Sequence, residues 1–249
     1  MFETERLEKI QEILAENGAL SVQRLARALF VSESTVRRDL SELQRQGLVK
    51  RIHGGAVLIT GASRELPLYM RERDHPDAKE RIAEQAVSYI RDGQVLFLDA
   101  SSTVQKMVGR LAAFRDLTII TNGLKTAQEL SQLPHTIYCT GGLLLHSSHA
   151  YVGHGAERAV REYNADLFFF SSRGISADGR ITDTSGEETQ LRRAMFEQSK
   201  GRIFLCDSSK FGQLYCYNLC TVRQVDAMVS DRGFAVEEGP KNMAPGTLG

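Results

Sequence analysis

Short hydroxyl side chains and a pair of arginines occur close together between residues 32 and 38. Arginine can fork onto guanine edges or phosphate oxygens, and serine or threonine hydroxyls reach bases and the DNA backbone. A second basic stretch follows near residue 50, and its glycine permits close approach to phosphate. The sequence therefore predicts a contact surface for double-stranded DNA made of Ser32, Ser34, Thr35, Arg37, Arg38, Lys50, Arg51, His53 and Gly54.

A solvated helix face is the alternative interpretation of the arginine pair. In that case Asp39 and Glu42 are local partners of Arg37 and Arg38. The elements that surround the pair favour the first interpretation, because they match the way a recognition helix is presented to the major groove.

Small and polar residues follow five predicted strands in the second part of the chain. Ligands bind outside the carboxyl ends of strands in an open parallel sheet. Hydroxyls and amides at a helix start, as at residues 101–103, can hold a phosphate. We therefore expect one anion site at this edge, drawn from Asp99, Ser101, Ser102, Thr103, Thr121, Asn122, Gly141, Gly142, Arg173, Gly174, Asp207 and Lys210.

Three helical patterns and a hairpin pattern precede residue 60. Apolar residues recur at helical spacing in each helix, and Ser21 and Ser32 are suited to begin the second and third helices. The second and third patterns predict a helix-turn-helix over about 20–39. Residues 48–59 predict two strands around Gly54-Gly55, which form a wing. The winged helix-turn-helix domain is expected to span 1–59.

Strand and helix patterns alternate after residue 79, which favours a doubly wound α/β domain. We expect a linker at 60–78, parts of it helical, a sensing and oligomerisation domain at 79–236 and a flexible tail at 237–249. The predicted strands are Val95–Asp99, Leu117–Thr121, Thr136–Thr140, Asp166–Ser171, Arg202–Asp207 and Ala227–Asp231. The predicted helices cover 79–91, 102–113, 123–132, 153–163 and 187–199.

Charge is balanced over the 249 residues, with 31 basic and 31 acidic side chains. Any attraction for nucleic acid must therefore come from local clustering. Residues 21–55 show it, with seven basic and three acidic side chains. No apolar run reaches the roughly 18–20 residues of a membrane span, and the charged N-terminus does not resemble a signal peptide. With four scattered cysteines, a cytoplasmic protein with reduced thiols is expected.

Residues 20–57, LSVQRLARALFVSESTVRRDLSELQRQGLVKRIHGGAV, resemble the N-terminal signature of the DeoR family of bacterial transcriptional regulators. The S-x-x-T-V-R-R-D-L run followed by R-x-H-G-G-A is specific to that family, and the second domain matches it less closely. The resemblance implies operator binding by an oligomer, usually as a repressor. It also implies a phosphosugar-sensing domain that is Rossmann-like and related to ribose-phosphate isomerase and CoA-transferase folds.

By this resemblance, Asp99 would bind sugar hydroxyls, whereas Ser101–Thr103 and Lys210 would hold phosphate. The family's E-x-x-x-K pattern appears as Glu188 and Arg192, which adds Glu188 to the effector residues. Arginine keeps the positive charge of lysine, but its planar guanidinium group donates hydrogen bonds in a different geometry. Ser101 stands where the family has glycine, and Ser171-Ser172 replaces its G-A. These differences suggest a different or modified sugar.

We therefore expect a transcriptional regulator, most simply a repressor of a sugar-catabolism operon, controlled by a phosphorylated sugar. It would act as a homo-oligomer in the bacterial cytoplasm, associated with the nucleoid when bound to DNA. A sugar-phosphate isomerase or lyase with an appended helix-turn-helix is the alternative. A winged helix that binds protein, next to a structural sheet domain, is a third possibility that the basic wing disfavours. No cofactor or metal is expected: His146, His149 and His154 lack carboxylate or cysteine company.

Overall fold

The computed structural model describes residues 2–45, 48–52, 54–58 and 67–232. The chain divides into two compact units, Met1–Gly61 and Ala62–Gly249. The predicted tail at 237–249, residues 60–66 of the predicted linker and His53 lie outside the described residues. None of the described helices combines the length and the apolar character needed to cross a membrane.

The first unit is a winged helix-turn-helix, as predicted. Its elements are α1 Glu3–Asn17, β1 Ala19–Ser21, α2 Val22–Leu29, α3 Glu33–Arg45, β2 Val49–Ile52 and β3 Gly55–Leu58. The predicted apolar stripes meet in one core that includes Ile10, Leu25, Val36 and Leu40. The predicted cap is confirmed, since the Ser21 hydroxyl accepts a hydrogen bond from the Arg24 amide at 3.2 Å.

The wing contains a third strand that the sequence analysis did not predict. Strand β1 pairs with β3, so the sheet order is β1-β3-β2. Three residues are too short to show the alternation by which a strand is recognised. This pairing explains Gly55, because a Cβ there would lie 2.2 Å from the Leu20 carbonyl oxygen.

The second unit is an α/β domain, as predicted. Its strands are β4 Val95–Leu98, β5 Thr118–Thr121, β6 Thr136–Cys139, β7 Leu143–Leu145, β8 Ala150–Val152, β9 Ala165–Phe170, β10 Gly174–Ile175, β11 Arg180–Asp183, β12 Ser199–Leu205, β13 Tyr217–Thr221 and β14 Ala227–Val229. Its helices are α4 Leu68–Arg73, α5 Pro76–Ala86, α6 Ser102–Gln105, α7 Leu124–Leu130, α8 His154–Val160 and α9 Gly186–Glu197. Short 3-10 turns cover Val87–Tyr89, Val108–Ala113, Ser208–Lys210 and Val222–Gln224.

The six predicted strands form a single parallel sheet in the order β14-β12-β9-β4-β5-β6. Strand β9 lies inside the sheet, and its phenylalanines 168–170 are fully buried because apolar clusters cover both faces. This agrees with the apolar run from which a doubly covered strand was predicted. The order places the ends of β12, β9 and β4 next to one another.

Two smaller β-structures were not predicted. Strands β7 and β8 form an antiparallel hairpin, and β10, β11 and β13 form an antiparallel sheet in the order β10-β11-β13. Helix α4 and the first residues of α5 lie within the range predicted as a linker. Leu68 and Ala78 are buried there, so these residues pack as part of the second unit.

Candidate functional site

The start of helix α3 is a cluster of hydroxyl groups. The Ser32 hydroxyl accepts from the Thr35 amide at 3.2 Å and lies 2.8 Å from the hydroxyls of both Ser34 and Thr35. Ser32 therefore caps the helix as predicted. Ser32 and Ser34 are also exposed, which leaves this end of the helix open to a partner.

Arg37 and Arg38 are both exposed but differ in their partners. Arg37 Nη2 lies 2.7 Å from Glu33 Oε2, one helical turn away. Within the described part of the chain, Arg38 has no ion-pair partner. An exposed ion pair contributes little to stability, so both guanidinium groups can be presented to a polyanion.

Asp39 is not a local partner of these arginines, contrary to the solvated-face alternative. Its carboxylate is fully buried and pairs in a fork with Arg6 of α1, with Arg6 Nε 2.5 Å from Oδ2 and Nη2 2.9 Å from Oδ1. The pair holds α3 against α1 from its inner side. The arginines on the outer side of α3 are thereby kept facing outward.

The wing places its cations beside the same helix. Lys50 and Arg51 are exposed on β2, and Arg51 Nη1 donates to the Ser41 hydroxyl of α3 at 3.3 Å. Gly54 has a φ of +75°, a conformation that glycine adopts without strain. Of the predicted DNA-contacting residues, all except His53 are described, and they lie on α3, at its cap and on the wing.

A polar cavity lies at the carboxyl ends of β4, β9 and β12, where the strand order brings these ends together. Its lining consists almost entirely of charged and hydroxyl side chains. These are Arg71, Asp74, Lys79, Ser101, Ser102, Ser171, Ser172, Arg173, Asp183, Arg192, Asp207 and Lys210. Five of them were predicted: Ser101, Ser102, Arg173, Asp207 and Lys210.

The five strand ends do not all meet in this cavity, contrary to expectation. Thr121 ends β5, Asn122 follows it, and Gly141 and Gly142 come after β6. Because β5 and β6 lie farther along the sheet, these four residues do not line the cavity. Asn122 Nδ2 donates to the Tyr151 carbonyl at 3.1 Å, and a Cβ on Gly142 would lie 2.6 Å from the Val152 carbonyl oxygen. Asn122 and Gly142 therefore pack against the β7–β8 hairpin.

Thr103 and Gly174 also lie outside the lining. Thr103 is fully buried, and its hydroxyl has no hydrogen-bond partner among the described residues. Gly174 packs so closely that a Cβ would lie 2.6 Å from the Gln213 carbonyl oxygen.

Asp99 and Glu188 do not line the cavity, but both form ion pairs with Arg192, which does. The guanidinium of Arg192 donates to three carboxylates: Asp99 at 2.9 Å, Asp183 at 3.0 Å and Glu188 at 2.8 Å. Burial alone would lower the pKa of Arg192, but the three carboxylates raise it above its ordinary value. The guanidinium of Arg192 therefore stays charged within a buried cluster of ion pairs.

The carboxylate of Asp99 also organises two loops of the lining. Its oxygens accept from the backbone amides of Ser101 at 2.9 Å and Ser171 at 3.1 Å. The structure thus places Asp99 beneath the cavity, with its oxygens engaged by protein donors. The expected contact with sugar hydroxyls stays a prediction.

Two lysines, Lys79 and Lys210, also line the cavity. Lys79 donates to the carbonyl oxygens of Arg71 and Asp74. Burial, and after it the charge of Lys210, lowers the pKa of Lys79 to about 8. Lys210 donates to the Ser171 hydroxyl at 2.8 Å and lies 3.4 Å from Asp207. With this pKa, most Lys79 side chains still carry their charge at pH 7.

Arg71 and Lys79 are site residues that the sequence analysis did not identify. They come from α4 and α5 and belong to no recognisable motif. Only the docking of these helices over the strand ends brings them to the cavity, and no local signal could have revealed it.

Two family models match the chain along most of its length. Residues 6–62 match the DeoR-like helix-turn-helix domain, and residues 74–232 match the DeoR C terminal sensor domain. The HTH-type transcriptional regulator GolR of Listeria innocua is 34% identical over 93% of this chain and 91% of its own length. The glycerol-3-phosphate regulon repressor of Escherichia coli is 31% identical over 93% of this chain and 92% of its own. Ribose 5-phosphate isomerase A of Methanocaldococcus jannaschii superposes with a TM-score of 0.42 and 16% identity over 57% of each chain.

Proposed function

This chain belongs to the DeoR family of DNA-binding transcriptional regulators, and we propose that it represses a sugar-catabolism operon under the control of a phosphorylated sugar. The sugar phosphate binds in the cavity at the ends of β4, β9 and β12. Two or more copies act together on repeated operator half-sites, because a single winged helix makes few base contacts. The protein works in the bacterial cytoplasm, on the nucleoid when bound to its operator.

The distribution of charge in the cavity lining carries this proposal. The cavity lining has a surplus of two positive charges, because Arg71, Lys79, Arg173, Arg192 and Lys210 stand against Asp74, Asp183 and Asp207. A phosphate monoester carries about −1.5 to −2 charges at pH 7 and offers three acceptor oxygens. The lining also offers the hydroxyl groups of Ser101, Ser102, Ser171 and Ser172. A ligand that combines an anionic group with hydroxyl groups fits this mixture of cations, carboxylates and hydroxyls.

The relatives support the same class of ligand. The E. coli relative is named for the regulon of glycerol 3-phosphate, a small phosphate monoester with hydroxyl groups. Arg173 adds a further donor, since its Nε is buried and has no hydrogen-bond partner among the described residues. The group is positioned to be satisfied by an acceptor that enters the cavity.

Replacing Lys210 by alanine is expected to weaken effector binding about 10–100-fold, which corresponds to the roughly 1.5–3 kcal/mol of a hydrogen bond to a charged group. The measurement is a thermal-shift screen of aldose and ketose phosphates, followed by calorimetric titration of the best ligand. Lys200→Ala is the control, because Lys200 is exposed near the start of β12, away from the 3-10 turn that carries Lys210, and pairs with Asp166 at 2.9 Å. Equal affinity of the Lys210→Ala and Lys200→Ala proteins would remove Lys210 from the site.

Replacing Arg38 by alanine is expected to cost about 1–3 kcal/mol of operator affinity if this guanidinium forks onto a base. The measurement is fluorescence anisotropy on operator DNA at fixed salt concentration. Arg45→Ala is the matched control, because Arg45 lies on the same helix and pairs with Glu42 at 2.6 Å. If both variants bind like the wild type, α3 does not present Arg38 to DNA.

The enzymatic alternative would use Asp99, Glu188 and Lys210 as acid and base groups. Both carboxylates are buried and ion-paired with Arg192, which speaks against proton transfer by either of them. Turnover of a sugar phosphate by the purified protein would nevertheless reinstate that alternative.

A further inference from the structure

The two edges of the parallel sheet differ in their exposure. Strand β14 forms one edge, and its Ala227 and Val229 are buried. Strand β6 forms the other edge, and Tyr138 on it is 43% exposed. Among the described residues, no strand pairs with the outer side of β6. An exposed edge of this kind presents backbone groups that are ready to pair with another strand.

The hydrogen bonds of β6 show which amides face outward. Thr136 N donates to the Leu117 carbonyl at 3.0 Å and Thr140 N to the Thr121 carbonyl at 3.1 Å. Because successive residues of a strand point their amides to opposite sides, those of Ile137 and Cys139 face the open side. The edge therefore offers two donors with their accompanying carbonyls, one on either side of Tyr138.

The segment around this edge carries no formal charge. A quarter of the chain is charged, yet residues 130–156 contain no Asp, Glu, Lys or Arg. Natural edge strands are commonly protected by charges, and this one lacks them. A large apolar side chain, Leu143 in β7, is exposed in the same segment. The edge of β6 and the β7–β8 hairpin thus lie in a stretch without formal charge, here called the neutral edge.

We propose that the neutral edge binds a second copy of this chain, with the two β6 strands antiparallel about a two-fold axis at Tyr138. In such an interface, residues near the axis meet their own counterparts. A charged residue there would face a like charge, so the absence of charge favours a homotypic partner over a charged one. Ile137 of each copy would exchange hydrogen bonds with Cys139 of the other, which joins the two sheets into one. This inference rests on the oligomeric operator binding proposed above and gives that oligomer an interface.

Tyr138→Glu tests the interface by placing two carboxylates at the axis. We expect sedimentation to show that this variant has half the assembly mass of the wild type. Tyr217→Glu is the matched control, because Tyr217 is 44% exposed on another edge strand of the same unit. Mixing Tyr138→Glu with Tyr138→Arg should restore the mass, since opposite charges then meet. A variant that is merely misfolded would not recover in this way.

Cys139 supplies a direct measurement of proximity. A strand rise of about 3.4 Å and a strand spacing of about 5 Å place the two Cys139 residues roughly 8–10 Å apart in this register. A short bismaleimide should therefore give a covalent dimer with Cys216→Ser and not with Cys139→Ser. Cys206 and Cys220 do not compete, because burial raises the pKa of each thiol to about 12.

Three outcomes would overturn the inference. If the Tyr138→Glu protein has the same oligomeric mass as the wild type, the oligomer uses another interface. Operator binding by an oligomer would still stand in that case. A covalent dimer through Cys216 instead of Cys139 locates the contact elsewhere. If the wild type is a monomer and Cys139 reacts slowly with maleimide, the chain itself covers this edge. The proposed binding of the operator by an oligomer would then fail as well.

Discussion

Replacing Arg192 by methionine is expected to lower the free energy of unfolding of the second unit by about 3–5 kcal/mol, the range found when one partner of a buried ion pair is removed. Arg192 is almost fully buried, and its guanidinium neutralises Asp99, Asp183 and Glu188. Methionine fills similar space but leaves three carboxylates without their common partner. Urea unfolding followed by circular dichroism measures the difference.

The neighbouring Arg193 provides the control for this prediction. It lies on the same helix, is exposed, and donates to the Asn218 carbonyl. Arg193→Met should cost less than about 1 kcal/mol, as is typical of surface substitutions. Arg192→Lys should lie between the two, because one ammonium group cannot reach three carboxylates in the way a planar fork does. A stable Arg192→Met protein with an unchanged midpoint would show that the carboxylates do not need this partner.

Replacing Arg6 by methionine is expected to destabilise the first unit by about 3–5 kcal/mol and to abolish operator binding. The reason is that Asp39 is fully buried and loses its ion-pair partner when Arg6 is removed. A domain of about 60 residues has a small free energy of unfolding. This loss therefore leaves the domain unfolded in a large fraction of the molecules. The measurements are thermal unfolding of the first unit and operator affinity.

The reverse substitution should be milder. In Asp39→Leu, the long Arg6 side chain can carry its guanidinium to the surface, so we expect a smaller loss than in Arg6→Met. Lys9→Met is the control on the same helix, because Lys9 is 58% exposed and its pair with Glu12 should be worth about 0–1 kcal/mol. Equal losses in Arg6→Met and Lys9→Met would mean that the buried pair contributes nothing.

These two clusters contain motif residues whose partners are distant in sequence. Asp39 belongs to the R-R-D-L motif, and its position on α3 could be predicted. Its partner Arg6 is 33 residues away, and only the crossing of α1 and α3 decides that pairing. Asp99 likewise ends a strand that could be predicted, whereas Arg192 reaches it from 93 residues away.

The shortest strands, like these ion pairs, could not be predicted from the sequence. Strands β1, β7 and β10 have two or three residues each, too few for an alternating pattern to stand out. They form because a partner strand satisfies their hydrogen bonds. The glycines that permit this, Gly55 and Gly142, can be explained only by the neighbours that approach them.

The sequence by itself determined the two fold types, the six parallel strands, the capped recognition helix and the polar strand ends. These features depend on the spacing of neighbouring residues, which a single chain displays directly. Only the tertiary structure decided which strand ends share a cavity, because sheet order places β4 beside β9 while β5 and β6 lie farther out. It likewise brought Arg71 and Lys79 to that cavity and joined Arg192 to its three carboxylates, since contacts between distant residues arise from packing and leave no local pattern.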